Sequence, residues 1–122
     1  MDGTSPASAH TGLGTHLIID VHHAQGLDDA ERVETALRAA VTASGARLLG
    51  LHLHRFAPQG ITGVAVLAES HITVHTWPER GYGAFDAFMC GSADPYAVVT
   101  VLAEAFETKD VRVRAFDRGQ EV

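Results

Sequence analysis

The chain has 122 residues and a mass of 13.0 kDa, the size of one domain that can bury a core without a disulfide or metal staple. Nine basic residues against fifteen acidic ones give a formal charge of −6, which argues against nucleic acid or an anionic membrane as the partner, since both select clustered Lys and Arg. A single cysteine, Cys90, rules out an intrachain disulfide, and no apolar run approaches the roughly 20 residues that span a bilayer.

The opening stretch Met1 to Gly12 is small and polar, with neither a basic start nor an apolar centre. It does not read as a secretory signal. Residues 1–13 are expected to form a disordered leader, and the protein to be cytoplasmic. The first strand is expected within His16 to His23, around Leu17-Ile18-Ile19-Asp20-Val21. Residues 27–44 then place Leu27, Ala30, Val33, Leu37, Ala40 and Val41 at helical spacing. Asp28, Asp29 and Glu31 sit where carboxylates suit the helix dipole, and Gly45 is placed to stop the helix.

From Leu48 to Phe56 the chain alternates, with Leu49, Leu51 and Leu53 expected on one face and His52, His54 and Phe56 on the other. Pro58-Gln59-Gly60 marks a turn. Ile61–Ala68 and Ile72–Trp77 read as two more strands, broken by Pro78 through Gly81, and Ala84–Met89 as another. Asp94-Pro95 supplies a cap and a proline for the first turn of a second helix, carried by Val98, Val101, Leu102 and Ala105 to about Thr108. Val111–Phe116 reads as the last strand. The order β-α-β-β-β-β-α-β, with short connections among the middle strands, predicts an α+β fold. Its form is a two-layer sandwich in which two main helices cover one face of a mainly antiparallel sheet. A single domain is expected over residues 14–119.

Eight histidines are many for this length. His52 and His54 leave one face of a strand, as do His71 and His75, and imidazoles so placed can converge on a metal. Strand histidines are more often half-buried hydrogen-bonding groups, and neither a second cysteine nor an HExxH helix supports an ion. No metal is therefore expected. His22-His23 receives no role. Glu69-Ser70-His71 suggests a hydrolase nucleophile, yet the G-x-S-x-G elbow is missing. Neighbouring strand residues point to opposite faces, which makes His71 a poor base for Ser70.

The blocks Phe56-Ala57-Pro58-Gln59-Gly60-Ile61-Thr62-Gly63, Glu69-Ser70-His71-Ile72-Thr73-Val74-His75-Thr76-Trp77-Pro78-Glu79, Asp86 and Cys90-Gly91 together resemble the prokaryotic S-adenosylmethionine decarboxylases, pyruvoyl-dependent enzymes made as proenzymes. The resemblance runs from about Gly14 to Gly119. It implies that the chain cuts itself between Glu69 and Ser70, into a β chain of residues 1–69 and an α chain of residues 70–122. In that family the serine hydroxyl attacks the preceding carbonyl, turning the amide into an ester. Loss of the serine α-proton expels the ester, and the dehydroalanine left behind hydrolyses to a pyruvoyl group. By this resemblance Thr62 assists the acyl shift and His75 removes the α-proton.

The covalent pyruvoyl cofactor, derived from Ser70, would form a Schiff base with the substrate amine and accept the electrons released with carbon dioxide. Cys90 matches the proton donor to the resulting carbanion. Phe56 and Trp77 match the aromatic residues that sandwich the adenine, and Glu79 the carboxylate that takes the ribose hydroxyls. Taken singly, each has a blander reading: a buried thiol, a core aromatic, a turn residue. The family also implies a homodimer of cleaved protomers with active sites at the interface. The resulting activity is decarboxylation of S-adenosylmethionine, which supplies the aminopropyl donor for spermidine synthesis.

Two positions depart from the family pattern. Thr15 stands between Gly14 and His16 where Lys or Arg is usual, and Arg80 follows Glu79 where an aromatic or neutral residue is common. Arg80 is either a solvated turn residue or a sign of a differently charged substrate. Relatives with the same self-cleaving core decarboxylate arginine or ornithine, so that activity is the alternative. A non-catalytic metal-binding module is a third reading. It would have no use for Thr62, Ser70, His75 and Cys90 together.

Overall fold

A computed structural model describes residues 12–122. Six strands form one sheet in the order β2-β3-β4-β5-β1-β6: β1 (Gly14–His22), β2 (Leu48–Arg55), β3 (Ile61–Leu67), β4 (Ser70–Trp77), β5 (Tyr82–Cys90) and β6 (Asp110–Arg118). Every pairing is antiparallel. Helices α1 (Ala30–Ser44) and α2 (Tyr96–Ala105) pack on each other and on one face of the sheet. The expected α+β two-layer sandwich and its element order are found. Among the described residues no helix is long and apolar enough to cross a membrane.

The helices start and stop for local reasons. Asp29 caps α1 by accepting a hydrogen bond from the Arg32 amide, one of the unpaired donors of a first turn. Gly45 ends α1 in the left-handed conformation, φ 77°, which costs a residue without Cβ little. Asp94 accepts from the Tyr96 amide at 3.0 Å, capping the first turn of α2 as expected. That helix ends at Ala105, earlier than its apolar spacing suggested.

Leu17, Ile19, Val21, Ile72, Val74, Phe85, Ala87 and Met89 point from the central strands toward the helices. There they meet Val33, Leu37, Ala40, Val98, Leu102 and Phe106 in one core. Burying a side chain of this size contributes about 1.5–3 kcal/mol, so this layer fixes which face of each strand looks outward. One strand departs from the expected alternation. The β2–β3 register shifts between Leu48 and Gly50, and this bulge leaves Leu49 exposed while Leu48, Leu51 and Leu53 pack against the core. An extra residue in one strand flips the faces beyond it, which simple alternation does not anticipate.

Of the leader expected at residues 1–13, residues 1–11 lie outside the described part. Gly12 and Leu13 are tied to the end of β6, through the Asp117 carboxylate and the Arg118 carbonyl.

Candidate active site

The helix-free face of the sheet carries most of the polar residues singled out from the sequence. Alternation brings His16, Asp20, Thr62, His71, Thr73, His75, Trp77, Tyr82, Asp86 and Cys90 to this one side, opposite the core residues. They do not form one cluster. They gather at the two ends of β4.

At the first end, the two-residue turn Ala68-Glu69 joins β3 to β4. The Glu69 carbonyl accepts two hydrogen bonds from Cys90, from its amide at 3.1 Å and from its thiol at 3.2 Å. The Glu69 side chain accepts from the Arg47 amide at 3.0 Å, and the Ala68 amide donates to the Arg47 carbonyl. Ser70 follows with φ 143°, a conformation rarely adopted by a residue with a side chain and costing about 1–3 kcal/mol. A carbonyl polarised by two donors beside a strained serine is an arrangement in which the hydroxyl can attack that carbonyl, with the developing oxyanion already solvated.

Ser70 corrects one expectation. Its backbone leaves the regular strand conformation, and its Oγ lies 3.4 Å from His71 Nδ1. The two side chains meet rather than diverging. On the far side of the ring, His71 Nε2 is 3.3 Å from an Asp86 carboxylate oxygen. The same oxygen is 2.5 Å from His16 Nε2, and Thr73 donates its hydroxyl to the other. Burial opposes ionisation of Asp86, but the hydrogen bonds from Thr73, His16 and His71 outweigh it and hold the carboxyl below its ordinary value.

Potential ligand atoms of His16, His71 and Asp86 lie within 4.8 Å of one another. Arg118 approaches His16 Nδ1 at 2.9 Å, and a guanidinium only donates. His16 Nδ1 is therefore the acceptor, and Nε2 carries the hydrogen given to Asp86. The nitrogen that would ligate an ion is already committed as a donor.

At the other end of β4, Thr62 and His75 face each other across β3 and β4, with Thr62 Oγ1 and His75 Nδ1 3.0 Å apart. Phe56, Thr62, His75, Trp77 and Glu79 line one hollow of about 290 Å³, with Gln59 and Gly60 at its edge. Phe56 and Trp77 are 49% and 41% exposed, so neither is a core aromatic. Trp77 stacks on Tyr82 with ring centroids 5.3 Å apart. The Tyr82 hydroxyl donates to Asp20 at 2.6 Å; this bond first, then burial and the Asp20 charge, push its pKa up to about 12.

The Phe56 loop is held from the start of α1. Asp28 accepts from the Gly60 amide at 2.9 Å and from Arg55, and Gly60 takes φ 105° to close the turn. Arg80 is exposed beside the hollow and does not line it. A larger groove of about 580 Å³ runs between the two helices, on the opposite side of the sheet from these residues.

Ser70 and His75 are thus brought onto one face but not together. At about 3.3 Å per strand residue they are roughly 16 Å apart. Sequence reasoning missed His16, Thr73, Arg118, Tyr82, Asp20 and Asp28, and left Asp86 without a role. Their partners come from strands far apart in sequence, so no local spacing marks them.

Known proteins resemble most of this framework. A profile of the S-adenosylmethionine decarboxylase family matches residues 15–119. The chain belongs to that family. Among S-adenosylmethionine decarboxylase proenzymes, that of Methanococcus maripaludis is 43% identical over 110 residues, covering 88% of this chain and 90% of the relative. That of Thermomicrobium roseum is 41% identical over 109 residues, covering 88% and 94%. The crystal structure of adenosylmethionine decarboxylase from Aquifex aeolicus superposes with a TM-score of 0.82 at 31% identity, covering 89% of this chain and 92% of that one. In this S-adenosylmethionine decarboxylase family member the Glu69–Ser70 bond lies at one end of β4, and the paired Thr62 and His75 lie at the other.

Proposed function

We propose that this chain is a proenzyme that cuts itself between Glu69 and Ser70 and then decarboxylates S-adenosylmethionine, supplying the aminopropyl donor for spermidine synthesis. The observation that carries the reading is the scissile carbonyl: Glu69 accepts from both the amide and the thiol of Cys90, beside a serine with positive φ. Ser70 Oγ attacks that carbonyl, and the Cys90 donors take up the charge that develops on its oxygen. His75, held by Thr62 at 3.0 Å, is the base that removes the Ser70 α-proton, and Thr62 assists the acyl shift. The pyruvoyl group left on residue 70 supplies an electrophilic ketone and an electron sink for the decarboxylation. Cys90, an exposed free thiol, gives the proton to the product carbon.

The hollow of Phe56, Trp77 and Glu79 answers a nucleoside. Two exposed aromatic faces suit an adenine, and their negative faces suit a sulfonium; the carboxylate accepts from ribose hydroxyls. Arginine and ornithine could lay a cation against one ring, but they offer no base to place between two rings and no ribose hydroxyls for Glu79, which favours S-adenosylmethionine over the alternative substrates.

We further propose that the active unit is a homodimer of cleaved protomers meeting through the helix-free faces. Ser70 and Cys90 of one protomer would then work with Thr62 and His75 of its partner. Three facts support this. The two halves of the machinery are some 16 Å apart along β4, and the hollow of about 290 Å³ falls just below the usual range for small-molecule sites. Val66, Trp77 and Phe116 stand exposed on that face, as an apolar surface meant for a partner does. A reducing compartment keeps an exposed thiol such as Cys90 free, in keeping with action in the cytoplasm.

Intact mass of the denatured protein tests the first claim: two chains divided at Glu69–Ser70, the C-terminal one lighter by one ammonia than its serine form. A single uncut chain after full maturation would overturn it. Carbon dioxide release from S-adenosylmethionine, arginine and ornithine tests the second. Release from a plain amino acid alone would overturn the substrate assignment.

A further inference from the structure

His71, set aside on sequence grounds, occupies the position that a serine's base requires. Its Nδ1 faces Ser70 Oγ at 3.4 Å, and its Nε2 faces Asp86 at 3.3 Å. The protonation pattern follows from the neighbours. Asp86 is held in its ionised form and can only accept, so Nε2 of His71 carries the hydrogen. The Nδ1 lone pair is then left pointing at the Ser70 hydroxyl. This is a serine–imidazole–carboxylate series with the two ring nitrogens exchanged relative to the common hydrolase arrangement.

The named neighbours on each element around the ring are compatible with that tautomer. On β5, Asp86 is the acceptor and Phe88 lies edge-on with its centroid 6.1 Å from that of His71. On β1, His16 donates to the same carboxylate. On β6, Arg118 fixes His16. On β3, the cross-strand neighbour is the uncharged Val66. His75 of the same chain, at the far end of β4, cannot reach the serine oxygen.

We propose that His71 is the base of the self-cleavage step, with Asp86 as its positioning residue. The inference rests on the self-cleavage reading above. His71 Nδ1 takes the proton from Ser70 Oγ as that oxygen bonds to the Glu69 carbonyl carbon, whose π electrons move to the oxygen held by Cys90. When the tetrahedral centre collapses, the carbon–nitrogen bond breaks and the His71 proton passes to the Ser70 nitrogen. An amide has become an ester and a free amine, with no proton gained or lost overall. His75 is reserved for the later removal of the α-proton. The two steps thus use different histidines, at opposite ends of β4.

The test follows the newly made full-length chain by timed quenching and intact mass, starting from cell-free synthesis. Hydroxylamine, which cuts esters far faster than amides, shows which step has stalled. His71→Asn is expected to slow cleavage about 10²- to 10⁴-fold, the usual contribution of a general base, and to leave a chain that hydroxylamine does not cut. His75→Ala is expected to accumulate a chain that hydroxylamine does cut at residue 69. Added imidazole should restore cleavage of His71→Ala, which a purely structural role would not allow. Asp86→Asn should slow cleavage about tenfold and provides an independent test should the His71 variants fail to fold.

The proposal is overturned if folded His71→Asn cleaves at the wild-type rate or stalls as an ester. It is equally overturned if folded His71→Ala does not respond to imidazole, or if Asp86→Asn cleaves at the wild-type rate. Failure of the wild-type chain to cleave would instead sink the self-cleavage reading itself, before any variant is compared.

Discussion

The two ends of β4 are built to opposite designs. At the Ser70 end every polar group is held: the carbonyl by Cys90, the Glu69 carboxylate by Arg47, and Asp86 by two histidines and a threonine. At the Trp77 end, Phe56, His75, Trp77 and Glu79 stand exposed around a hollow, ordered by the Thr62–His75 contact, the Trp77–Tyr82 stack and the His54–Phe56 ring contact. In the self-cleavage proposed above, the first end performs chemistry on its own backbone, so its geometry must be fixed before any substrate arrives. The second must admit a ligand and, in the dimer proposed above, reach across to the partner's serine. Openness there is a condition of function.

The largest effect should come from Ser70→Ala, which removes the attacking oxygen. We expect a single full-length chain by intact mass and no decarboxylation at all. Next, His75→Ala should lower pyruvoyl formation by about 10²- to 10⁴-fold. Co-expressing it with Ser70→Ala should restore activity up to half the wild-type level per dimer, because a mixed dimer contains one site with both wild-type groups. No complementation would show that each chain serves itself, and would break the division between the two ends.

Trp77→Ala and Phe56→Ala sharpen the contrast. Each should leave cleavage intact while raising KM for S-adenosylmethionine about 10- to 100-fold, the scale of a lost base–aromatic stack, as steady-state kinetics would show.

The smallest effect concerns Asp86. Its folded pKa lies below the ordinary value of 3.8, so its carboxylate adds stability above that pH, and the contribution disappears as pH falls through the folded value. The stability lost in Asp86→Asn, read by denaturant unfolding of uncleaved chains carrying Ser70→Ala, should therefore be full at neutral pH and vanish in strong acid.

Much of the fold was legible because it rests on local period. The apolar spacing of Val33, Leu37, Ala40 and Val41, the Asp29 cap and the Gly45 stop are properties of neighbouring residues, and the helix formed where they said. Strand alternation was nearly as clear, failing at Leu49 because a bulge is a relation between two strands. Part of the candidate site was legible in another way. Thr62, Ser70, His75 and Cys90 stood out through the resemblance of their blocks to a known family. The pairing of Thr62 with His75 and the approach of Cys90 to Glu69 needed the sheet register.

The sequence by itself determined the element order, the core-facing residues and the family, since each is written in spacing or in contiguous blocks. Only the tertiary structure decided that Ser70 turns toward His71, because that depends on a backbone angle forced by a two-residue turn. The charge network likewise needed the fold. Asp86, His16 and Arg118 meet because β5, β1 and β6 lie side by side in the sheet, although His16 and Arg118 are 102 residues apart in the chain. The fold likewise keeps Ser70 from His75, since five residues at the fixed rise of one strand set them roughly 16 Å apart and no side chain spans that gap.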